Sequence, residues 1–80
     1  MKFLATFHTQ YGAMQFRKYC WKEGISAKMG PVPRELSASC GVCVRFEDDN
    51  APIVAEYEDM ESCYVVTGEG KYIQAKHEDK

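Results

Sequence analysis

The apolar positions fall into short runs of two different periods. Phe3, Ala5 and Phe7 alternate with Lys2, Leu4 and Thr6, which predicts a strand over residues 2–7. Thr9 is placed to cap a helix running to about Glu23. Within it Ala13, Phe16 and Cys20 form one apolar stripe, with Met14 and Tyr19 on its flanks. Gly24 follows in the position where glycine ends helices best. Ile25 to Val32 predicts a second strand with Ala27 and Met29 on one face, stopped and stiffened by Pro31 and Pro33. After a loop at 34–40, Val42, Val44 and Phe46 alternate with Cys43 and Arg45 and mark a third strand. Asp48-Asp49-Asn50 is a turn that also supplies caps, and Pro52 suits a first helical turn. Ile53, Glu56, Tyr57 and Met60 have helical spacing, so 51–60 reads as a second helix, although Ile53–Tyr57 also fits a strand. Cys63 to Thr67 is a fourth strand, Gly68-Glu69-Gly70 a turn, and Tyr72-Ile73 a short edge strand before a charged tail.

The order β-α-β-β-α-β predicts an α+β fold of ferredoxin-like topology, an antiparallel sheet with two helices on one face. That arrangement serves many functions, so it does not choose one. Eighty residues suit a single domain, 1–80, with 71–80 partly a charged tail. No apolar run approaches the roughly 18 residues that span a bilayer. Residues 1–7 lack the long apolar stretch and cleavage site of a signal peptide. The expected location is the cytoplasm, with no membrane association.

The net charge of −2 conceals an asymmetry. Residues 1–44 hold six Lys/Arg against two acids, and residues 45–80 hold four against ten. A small anion or an acidic partner surface suits the basic half. Nucleic acid does not, because no dense basic stripe exists to neutralise several phosphates.

The four cysteines carry the chemistry. The periodic segments suffice for a core and no export signal is present, which argues against a secreted disulfide scaffold. Cys20, on the helix stripe, and Cys63, opening an apolar strand, read as small core residues. Cys40 and Cys43 form a Cys-x-x-Cys with Arg34 and Arg45 on either side. Cations favour the thiolate, and the thiolate is the nucleophile. The residues after Cys43 favour a strand. Fully extended, positions three apart have Cα atoms about 10 Å apart, whereas a disulfide needs less than about 7 Å. Only a turn at Gly41 would bring the two sulfurs together. A zinc site needs four ligands. One Cys-x-x-Cys gives two, and Cys20, Cys63, His8 and His77 supply no second close pair, so no metal or other cofactor is expected. What remains is a single nucleophilic thiol at Cys40, with small neighbours that leave it approachable. Ser37 and Ser39 offer hydroxyls to an anion, Gly41 permits close approach, and Arg34 brings a charge that cannot be lost. Cys43 and Arg45 fall on the face opposite Val42, Val44 and Phe46, with Cys43 a second thiol or a bystander.

Pro31-Val32-Pro33-Arg34-Glu35-Leu36-Ser37, then Cys40-Gly41-Val42, then Arg45-Phe46, resembles a small bacterial family of selenium/sulfur carrier-like proteins. Phe7-His8-Thr9, Ala13-Met14 and Gly24-Ile25 resemble its pattern in register, and the likeness covers roughly residues 3–46. The resemblance implies a chalcogen carried on Cys40, with Cys43 optional. Where relatives tend to have an acid in the first helix, this chain has Arg17, so any role of that acid is absent here. The reading is a carrier rather than a turnover enzyme. Cys40 would take sulfur or selenium as a persulfide or selenopersulfide from a donor such as a cysteine desulfurase and pass it to an acceptor protein. The rivals are a dithiol redox module of Cys40 and Cys43, a non-catalytic protein-interaction domain and, third, a zinc or iron–sulfur site. The sequence does not choose between a monomer and a homodimer.

Overall fold

The computed structural model describes residues 2–36, 38–47 and 59–77, the last three of these by backbone only. Five strands and one helix are present among them: β1 (Lys2–Phe7), α1 (Gln10–Lys22), β2 (Ala27–Pro31), β3 (Val42–Glu47), β4 (Met60–Val66) and β5 (Tyr72–His77). The strands form one antiparallel sheet in the order β2-β3-β1-β4-β5, an α+β architecture.

The helix forms where the stripe predicts it. Thr9 caps it, with extended backbone and a hydroxyl that accepts from the Gly12 N–H at 2.9 Å. Gly24 ends it at φ +77°, a left-handed conformation that glycine adopts without a Cβ penalty. Ala13, Phe16 and Cys20 turn to the sheet and meet Phe3, Ala5, Phe7, Val44, Phe46, Met60 and Cys63. The Phe16 ring sits edge-on to Phe46 with centroids 5.1 Å apart, and Phe46 stacks on Phe3 at 5.2 Å.

The structure corrects several sequence expectations. Leu4 and Thr6 are as buried as the residues they alternate with. Both faces of β1, the middle strand of five, are out of solvent, and a strand buried on both faces reads as an apolar run rather than an alternation. Of the helix expected over 51–60, residues 51–58 lie outside the described residues, and Met60 already opens β4. One helix is therefore described where two were expected. β4 starts three residues before the Cys63 expected for it. β2 is shorter than 25–32, and Pro31 takes part in it, opposite Val42. A proline is tolerated there because β2 lies at the sheet edge. The segment expected as a two-residue edge strand and a tail is a strand through His77, paired with β4.

Candidate functional site

The loop between β2 and β3 is built from the two strand ends inward. The Val32 N–H donates to the Gly41 carbonyl at 3.1 Å, which extends the β2–β3 pairing past Pro31. The Leu36 N–H donates to the Pro33 carbonyl at 3.0 Å and closes a turn around Arg34 and Glu35. Arg34 and Gly41 are exposed. Ser37 lies outside the described residues.

Ser39 does not present a free hydroxyl to an incoming anion. Its N–H donates to Glu61 Oε1 at 3.0 Å and its Oγ–H to Glu61 Oε2 at 2.9 Å. A carboxylate gripped by two donors is a charge-assisted pair, and it ties the loop to the start of β4 immediately before Cys40. Sequence reasoning missed Glu61. It lies 22 residues from Ser39, between the helix expected over 51–60 and the strand expected from Cys63, and only the sheet brings the two together.

None of the four cysteines is joined in a disulfide, and they differ sharply in access. Cys20 and Cys43 are 0% exposed and Cys63 is 1% exposed, whereas Cys40 is partly exposed. Cys20 and Cys63 belong to the core, as their apolar settings predict. Cys43 shares a sheet face with Arg45, as the alternation predicts, but it is sealed from solvent. It stands opposite Thr6 on β1 and Gly30 on β2. Its Sγ–H donates to the Pro31 carbonyl at 3.4 Å. Burial pushes the Cys43 thiol above its ordinary range, and the nearby Arg45 guanidinium only partly opposes this. The two members of the Cys-x-x-Cys are thus unlike: one loop thiol within reach of solvent, and one protonated thiol facing inward.

Arg45 parts company with the Cys40 loop. It pairs in register with Leu4 on one side and Lys28 on the other. With Lys2, Lys28, Ser26 and Glu47 it lines an open groove of about 340 Å³ toward the far end of β3. Of the residues singled out in the sequence, the structure brings Arg34, Ser39, Cys40 and Gly41 into one loop and moves Arg45 to another surface. Among the described residues no three His, Cys, Asp or Glu side chains gather as a metal would require. Among them, too, no helix is long and apolar enough to cross a membrane.

Comparison with known proteins agrees with the motif. A family model described as "Putative Se/S carrier protein-like" matches residues 2–61, from β1 through Glu61. Uncharacterized protein YtiA of Escherichia coli (strain K12) is 35% identical over 43 residues, which cover 54% of this chain and 51% of that protein. The chain thus spans about half the length of the curated relative it matches. No solved structure matches it. With three quarters of its length under that family model, the chain belongs to the selenium/sulfur carrier-like family.

Proposed function

We propose that the protein carries sulfur or selenium on Cys40 and hands it to a partner protein. The observation that supports this most is the contrast in access: Cys40 is partly exposed while the other three thiols are buried. In the loading step the Cys40 thiolate attacks the outer sulfur of a persulfide on a cysteine desulfurase-like donor. A new S–S bond forms at Cys40, the donor's S–S bond breaks, and the donor cysteine leaves as a thiolate. The acceptor's thiolate then attacks the outer sulfur on Cys40, and Cys40 leaves as the thiolate it began as. No external oxidant or reductant is consumed, and selenium follows the same course as a selenopersulfide. The small neighbours Ser39 and Gly41 leave room for a visiting protein, and the exposed Arg34 stands in the same loop.

The strand order supports the finer fold reading. β1 and β2 run parallel with β3 between them and α1 joining them, the split βαβ unit of a ferredoxin-like fold.

The test is mass spectrometry after incubation with a cysteine desulfurase and cysteine, and in parallel with a selenium-donating homologue and selenocysteine. One chalcogen atom on Cys40, absent from Cys40→Ser, is expected. Failure to load Cys40 under conditions that load an established sulfur carrier would sink the proposal.

A further inference from the structure

Lys28 on β2 and Arg45 on β3 are register partners, so two like charges leave the same sheet face side by side. Directly opposed like charges destabilise a sheet. Neither has a carboxylate partner among the described residues. Lys2 joins them in the groove of about 340 Å³, where Glu47, its own register partner, is the single acid among the described residues. A lysine on an edge strand is commonly a guard against unwanted strand pairing. That accounts for Lys28, because β2 is at the edge, but not for Arg45, because β3 is an inner strand.

The geometry points to an oxyanion-binding site between Lys28 and Arg45, with Lys2 as the third cation, for a phosphate group. An anion held between the pair would relieve the repulsion that the bare sheet bears. Arg offers a planar fork for two oxygens and Lys a point charge for a third. The groove has the size of a small-molecule site, and the exposed hydroxyl-bearing Ser26 stands on its wall. Among the described residues three cations face one carboxylate, which suits a single phosphate rather than a polyanion strand. The groove opens toward the end of β3 remote from Cys40, so this site stands independently of chalcogen transfer.

Titration of the full-length protein with inorganic phosphate and with phenyl phosphate, followed by amide NMR at constant low ionic strength, tests the assignment. Shifts confined to residues around Lys2, Ser26, Lys28 and Arg45 are expected, with chloride inert at the same ionic strength. Stronger binding of phenyl phosphate identifies a phosphate monoester, and equal binding identifies free phosphate. Arg45→Gln and Lys28→Gln should each weaken binding about three- to tenfold, and Glu47→Gln should strengthen it. These side chains are exposed, so a melting temperature equal to or above that of the wild type separates lost binding from lost folding. Diffuse shifts, equal binding by the two charge-neutral variants, or binding of an acidic peptide but of neither phosphate would overturn it.

Discussion

Glu61 of β4 accepts both the backbone N–H and the hydroxyl of Ser39, the residue before Cys40. The reactive loop is thereby fastened to a strand that is otherwise remote in the chain. Glu61→Ala should free the loop at little thermodynamic cost, because the pair is exposed. A loss of about 1 kcal/mol or less by urea denaturation is expected. Loading of Cys40 by a donor protein should slow, since the sulfur is no longer held in one place. Alkylation of Cys40 by a small reagent should not slow. Equal slowing of both reactions would show that Glu61 does not position the thiol for protein partners.

Cys40 and Cys43 should separate cleanly by substitution. Cys40→Ser should abolish chalcogen loading and leave the melting curve close to wild type, because the side chain is partly exposed and the replacement nearly isosteric. Cys43→Ala removes a buried sulfur and should cost about 1–2 kcal/mol while loading persists. Retained loading in Cys40→Ser would move the carrier role elsewhere.

The burial of Cys43 has a pH consequence. Its folded-state value lies above the ordinary 9.0 that the unfolded chain restores, so folding favours the protonated thiol. That contribution is complete below about pH 9 and declines as the pH rises past it, because the unfolded chain then releases a proton that the folded chain keeps. Arg45→Gln removes the opposing cation and should push the thiol further up. Denaturation midpoints from pH 7 to 10 should therefore fall above pH 9, and the fall should be smaller in Cys43→Ala. A fall of unchanged size in that variant would assign it to other groups.

Gly12 allows Asp59 to sit over the first turn of α1. A Cβ at position 12 would overlap the Asp59 carboxyl. That carboxylate accepts the Thr9 hydroxyl at 3.1 Å, at the positive end of a helix that has no acid in its own first turn. Gly12→Ala should destabilise by about 1–3 kcal/mol although alanine is the better helix former by about 1 kcal/mol. In an Asp59→Gly background the same change should become neutral or favourable, a double-mutant cycle that thermal or urea unfolding can read.

Thr6 is fully buried, and its hydroxyl has no hydrogen-bond partner among the described residues. Thr6→Val replaces that hydroxyl by a methyl of similar size in a β-branched residue suited to a central strand. Stability should rise by about 1 kcal/mol, measured by urea denaturation. A loss instead would mean that the hydroxyl is satisfied in solution.

Much of this was legible in the chain because it is local. The helix from its Thr9 cap to Gly24, the stripe of Ala13, Phe16 and Cys20, and the strand at Val42–Phe46 follow from periods and end signals that need no partner. The motif around Cys40 was equally local, and it indicated the family. The two core cysteines were readable from their apolar settings. Tertiary structure decided the rest. Which strand is central cannot be read from periodicity, so the burial of Leu4, Thr6 and Cys43 on the second face of the sheet came only with the strand order. Sheet pairing also turned Cys43 inward, set Arg45 beside Lys28, and brought Glu61 to Ser39. Each of these joins residues through space across gaps that carry no sequence signal, because register and strand order are fixed by packing the whole sheet at once.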